Sequence, residues 1–113
     1  MIIESFFKDN NIGILVHGNA HTKQFAIIRT GVPIESECLF EQLIANSSYD
    51  AINEYLEGAL LPRIWSQGNS KCIITKINNE IIALFYDSQL KSKEHYMWAK
   101  DLSQKLNDFY SEI

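Results

Sequence analysis

The chain is predicted to fold as an α+β domain: a single five-stranded, mainly antiparallel sheet covered by helices, in the order α-β-β-α(α)-β-β-β-α. Three observations predict it. Two short, almost continuous apolar runs, Ile12 to His17 and Ile81 to Tyr86, have the character of strands buried on both faces. The stretches 35–61 and 93–110 instead repeat their apolar residues every three to four positions, the period of a helix lying on a core. With 113 residues, 46% of them hydrophobic, the chain is long enough for one core and too short for two, so 1–113 is read as a single domain.

The elements follow in order. Ile2, Ile3, Phe6 and Phe7 fall at helical spacing before the breaker Asn10-Asn11, which gives a short first helix over 2–9. Ile12 to His17 is the first strand, and Gly18-Asn19-Ala20-His21 supplies turn chemistry. Lys23 to Thr30 is a β-branched second strand with Phe25 and Ile27 on one face and Ala26 and Ile28 on the other. From Glu35 to Leu61 one apolar stripe is Leu39, Phe40, Leu43 and Ile44, and the next is Ile52, Tyr55, Leu56, Ala59 and Leu60. Ser47-Ser48-Tyr49-Asp50 between them resembles a capping box, so this region is either two helices or one kinked helix. Pro62 stops it by removing an amide donor.

Three strands then crowd together. Arg63-Ile64-Trp65 is short, Gly68-Asn69-Ser70 turns, Lys71 to Ile77 is rich in β-formers, and Asn78-Asn79 turns again. Ile81 to Tyr86 is the most apolar segment, so it belongs in the centre of the sheet, beside Ile12 to His17. Ser92 caps a final helix whose stripe is Trp98, Ala99, Leu102, Leu106, Phe109 and Ile113.

Composition excludes several classes of function. Fourteen acids against ten Lys and Arg give a net charge of −4, which does not suit a nucleic-acid surface or an anionic membrane. No apolar run is long enough for a membrane span. The N-terminus lacks the basic region and cleavage site of a signal peptide. Two cysteines, Cys38 and Cys72, are too few for a disulfide scaffold, so they are read as free, buried packing thiols in a cytoplasmic protein. The charge is uneven: residues 1–60 sum to −5 and 61–113 to +1, and six acids with no base lie between Arg29 and Arg63.

The opening strand Ile12-Gly13-Ile14-Leu15-Val16, the helical region 35–61 and the closing run Asn79 to Asp87 followed by a helix carry a resemblance. Their order is similar to that of the roadblock/dynein light chain family, within the profilin-like and longin-like group of folds. The resemblance spans nearly the whole chain as a pattern, without a signature motif. It implies a non-enzymatic scaffold that dimerises side by side through an edge strand and the middle helix and serves small GTPases or motor complexes. It implies a dimer surface at 35–61 and 63–67 in this chain.

Residues that carry chemistry are few. His17 and His21 have the His-x₃-His spacing that holds zinc when both sit on one helix face, but Gly18-Asn19 argues for a turn. They are the weak metal candidates, and no cofactor is expected. His95 is read as a surface or interface residue in the first turn of the last helix. The five glycines are never clustered into a phosphate loop, and no Gly-x-Ser-x-Gly elbow occurs, so no enzyme is expected. Glu37, Glu41 and Glu54 on an acidic helix face, with the aromatics Tyr49, Tyr55 and Trp65, are the candidate interface. Two functions are carried forward: a homodimeric interaction module for a small GTPase or motor complex, and an acidic immunity or inhibitor protein that blocks a basic toxin or nuclease.

Overall fold

A computed structural model of the chain describes residues 2–58 and 63–111, with side chains over 6–58 and 63–108. The expected elements Ala59, Leu60, Pro62, Phe109 and Ile113, and the side chains of Ile2 and Ile3, lie outside those ranges. Helix α1 (Ile2–Asp9) leads into β1 (Ile12–Gly18) and β2 (Phe25–Arg29). A one-turn helix α2 (Cys38–Phe40) widens into a π-turn (Glu41–Ala45), and α3 (Tyr49–Leu56) follows. Strands β3 (Arg63–Gln67), β4 (Ser70–Ile77) and β5 (Glu80–Asp87) precede the 20-residue helix α4 (Ser92–Ser111).

The five strands form one antiparallel sheet in the order β2-β1-β5-β4-β3. The fold class and element order are those expected. β5 is the central strand, and β1 is its neighbour, with Leu15 opposite Leu84 and Val16 opposite Ala83. Every side chain from Ile81 to Tyr86 is buried, which is why that segment reads as a continuous apolar run.

Alternation along the strands divides the core into two layers. Ile14, Val16, Cys72, Ile74, Ile81, Ala83 and Phe85 face Leu39, Phe40 and Ile44 of α2 and its π-turn and Tyr49, Ile52 and Leu56 of α3. Leu15, Ile73, Ile77, Ile82, Leu84 and Tyr86 face Phe7 of α1 and Ala99, Leu102 and Leu106 of α4. The sheet is thus sandwiched between helices on both faces.

Local chemistry sets the joints. Asn78 and Asn79 both take left-handed φ, 52° and 68°, as the two central residues of the tight turn closed by the Ile77–Glu80 pair. Gly13 sits at the irregularity in the β1–β5 register, where a Cβ would stand 2.5 Å from Ile34 Cγ2. It lets the 31–34 segment cross close over the sheet.

The helical region is two helices. Asn46 N–H donates to Glu41 O across the π-turn, and Ser48, extended at φ −125° and ψ 161°, accepts from Ala51 N at 3.2 Å as the cap of α3. The cap is therefore Ser48 rather than Ser47, and Asp50 lies in the first turn. The expected stripe is also corrected in one member. With α3 starting at Tyr49, positions 49, 52 and 56 face the sheet, and Tyr55 points outward, 65% exposed. Of the two thiols, Cys72 is buried as expected, and burial pushes its pKa up. Cys38 is instead exposed at the start of α2, because Leu39 and Phe40 are the residues of that turn that reach the core.

Candidate functional surface

β3 is the edge strand on one side of the sheet and, among the described residues, pairs with β4 alone. An edge presents unpaired backbone donors and acceptors, a template for a further strand. Trp65 on β3 points to the α2–α3 side, opposite Cys72 on β4, and is half-buried against that core layer. Tyr55, exposed on α3, lies over it with ring centroids 5.9 Å apart. Both line a groove of about 260 Å³ whose floor includes Leu43, Ile52, Leu56 and Ile74. The groove is a shallow apolar trough with two large amphipathic rings at its lip, next to an unpaired strand.

The other four interface candidates separate. Tyr49, 6% exposed, is turned into the core, where its ring lies 6.2 Å from Phe25 and its hydroxyl donates to Asn79 O at 3.3 Å. Its expected place on the surface is thus corrected, because the first residue of α3 faces the sheet. Glu37 is taken by Arg29 in a two-pronged pair at 2.7 and 2.9 Å, with the guanidinium also over the Phe40 ring at 5.6 Å. Glu41 and Glu54 are exposed and make no ion pair among the described residues. Asp50, another acid of this region, pairs with Lys23 across the sheet end at 3.1 Å. The run of acids between Arg29 and Arg63 is therefore less bare in space than in sequence, since two of them borrow cations from the β1–β2 hairpin.

The histidines of the first hairpin sit in different settings. Asn19 Oδ1 accepts from the amides of His21 and Thr22, at 2.8 and 3.0 Å, which folds 19–22 into a turn. His17 belongs to β1 and points toward Glu80, its Nε2 3.6 Å from Oε2, while His21 is exposed on the turn. That Glu80 oxygen also accepts the Ala20 amide at 2.9 Å. Among the described residues no group of three His, Cys, Asp or Glu is placed to hold a metal ion.

His95 corrects an expectation. It is 4% exposed, and its Nε2 stands 2.5 Å from the Tyr86 hydroxyl. The signal was in the spacing: His95 lies four and seven residues before Ala99 and Leu102, on the apolar stripe itself. Among the described residues no helix is long and apolar enough to cross a membrane. The chain matches no family model, no curated protein and no solved structure.

Proposed function

We propose that the protein is a non-enzymatic interaction module that works as a homodimer, and that the surface of α3 and β3 is where two copies meet. The observation that supports this most is the pairing of the exposed Tyr55 with Trp65 over an apolar groove beside an unpaired strand. Aromatic anchors over a desolvated pocket concentrate binding energy, and strand-to-strand pairing extends a sheet without new side chains. A two-fold axis perpendicular to the sheet at the middle of β3 would join two five-stranded sheets antiparallel and bring the two grooves side by side on one face. In this reading the dimer is a roadblock-like platform for a small GTPase or motor complex, in the cytoplasm.

The second reading, an acidic immunity or inhibitor protein, has less support. The exposed Glu41 and Glu54 favour it, but Glu37 and Asp50 are engaged by Arg29 and Lys23.

The test is sedimentation or light scattering over a concentration series. The wild-type chain is expected to run as a dimer, and the double variant Tyr55→Ala, Trp65→Ala as a folded monomer. The opposite edge is the control. β2 carries Ile27, 47% exposed, and Ile28 on the other face, so it also has the apolar character of a pairing edge. Ile27→Asp should leave the dimer intact; its loss there would move the interface to β2. A monomeric wild type at high concentration would remove the dimer reading altogether, and salt-sensitive binding to a basic nuclease by that monomer would favour the second.

A further inference from the structure

On the α1–α4 side of the sheet the apolar layer is interrupted at one corner by a polar row. Ser66, Lys71 and Tyr86 are successive cross-strand neighbours on β3, β4 and β5, and His95 closes on them from the first turn of α4. Lys71 is only 9% exposed. Its ammonium donates to Ser66 Oγ at 2.5 Å and to Gly68 O at 2.8 Å. Both acceptors are neutral, and among the described residues no carboxylate lies within ion-pairing distance of it. Lysines this covered are rare unless paired, because the desolvation of the charge goes uncompensated. An ammonium has three N–H groups, and two are spoken for.

The third has a place to go. Lys71 lines a cleft of about 570 Å³ between the β3–β4 turn, the 88–91 segment and the start of α4. Lys91 and the Asn69 amide are on its polar wall, and Ile64, Leu90 and Tyr96 on its apolar one. In a chain with more acids than bases, no Asp or Glu is among the described residues lining it. The neighbouring pair supplies no counter-charge either. Burial above all holds the Tyr86 phenol in its protonated form, and burial, aided by the Lys71 charge, holds the His95 imidazole below its ordinary pKa. A roomy cleft with two cations, neutral donors, no acid and an apolar wall has the composition of a ligand site.

We propose that this cleft binds a small organic oxyanion, a phosphate or carboxylate head on an apolar body, with the head on Lys71 and Lys91 and the body against Tyr96, Leu90 and Ile64. The site lies on the opposite face of β3 from the Tyr55–Trp65 groove, so it stands whether or not the protein dimerises there.

The experiment is calorimetric titration of the full chain at low ionic strength with three probes: phenyl phosphate, benzoate and benzyl alcohol. Saturable binding of one or both anions is expected, with none of the neutral alcohol, and the tighter anion identifies the head group. Lys71→Met should weaken the anion by roughly tenfold or more, since a charge-assisted hydrogen bond is lost. Should that variant fail to fold by circular dichroism, Lys91→Gln is decisive. Lys91 is exposed, and its loss should weaken binding by roughly threefold and flatten the salt dependence. No saturable anion binding to the wild type overturns the proposal, as does equal affinity for benzyl alcohol. A folded Lys71→Met, or in its place Lys91→Gln, that binds the anion as the wild type does also overturns it.

Discussion

Strand β3 separates two surfaces of opposite character. On one face Trp65 and Tyr55 frame a small apolar groove against the short helices. On the other, Ser66 and Ile64 border a cationic cleft more than twice as large, against the long helix. The difference comes from what covers each face. α3 has eight residues and leaves its outward tyrosine over the edge of the sheet. α4 has 20 residues and brings a histidine down onto the strands, so the groups beneath it are desolvated. The short helix leaves an aromatic side chain at the edge exposed, whereas the long one covers the polar groups beneath it.

The largest contrast between the two sides is expected in core truncation. Leu106, fully buried on the inner face of α4, should cost about 3–5 kcal/mol when changed to Ala, because both the helix and the central strands hold the cavity open. Leu56, at the end of α3 and beside the groove, should cost only about 2–3 kcal/mol, since the short helix can settle into the space. Urea denaturation of both variants measures the difference, and equal costs would mean that the two layers are equally rigid. Next in size, Ser48→Ala should lose about 1 kcal/mol by removing the cap of α3. No comparable single site exists in the middle of α4.

A pH series probes the long-helix side through His95. His95 binds protons less readily in the folded state than in the unfolded one, because of burial and the nearby Lys71 charge. Below the ordinary imidazole pKa of about 6.5 the unfolded chain therefore takes up more protons. Stability should then fall as the pH drops through that value, and continue to fall until the folded-state pKa is reached. His95→Gln should remove this part of the slope, which sets in as the pH falls below about 7, as read from thermal midpoints. An unchanged slope would place the acid sensitivity elsewhere. The smallest effect on stability belongs to the groove: Tyr55→Ala should move it by no more than about 0.5 kcal/mol while weakening self-association.

These surfaces were unequally legible in the sequence. The central strands were readable because Ile12 to His17 and Ile81 to Tyr86 are buried on both faces and so carry almost no polar residue. The break in the middle helix was readable from the serines that cap α3, although its register was not. A capping pattern with two adjacent serines leaves the start ambiguous by one residue, and apolar spacing alone does not show that Tyr49 joins Ile52 and Leu56 on the sheet while Tyr55 at the margin of the stripe faces solvent. Trp65 and Tyr55 were both legible as candidate interface aromatics, and they meet. The polar row was missed entirely. Lys71 looks like the polar border of a strand, and its burial depends on Tyr86 and His95, 15 and 24 positions away, through pairings that no local period encodes. The Arg29 partner of Glu37 was hidden for the same reason, since it comes from another element.

The chain has two tryptophans, and the fold has placed one on each side of the sheet. Trp65 stands at the groove against Tyr55, while Trp98 lies 4.9 Å from the Tyr86 ring and stacks on His95 at 6.2 Å. A proton gained by His95 sets a cation against the Trp98 indole, whereas a second chain docking on β3 would bury Trp65. Replacing either tryptophan with phenylalanine therefore leaves a protein whose remaining fluorescence reports on one surface: protonation of His95 through Trp98, assembly through Trp65.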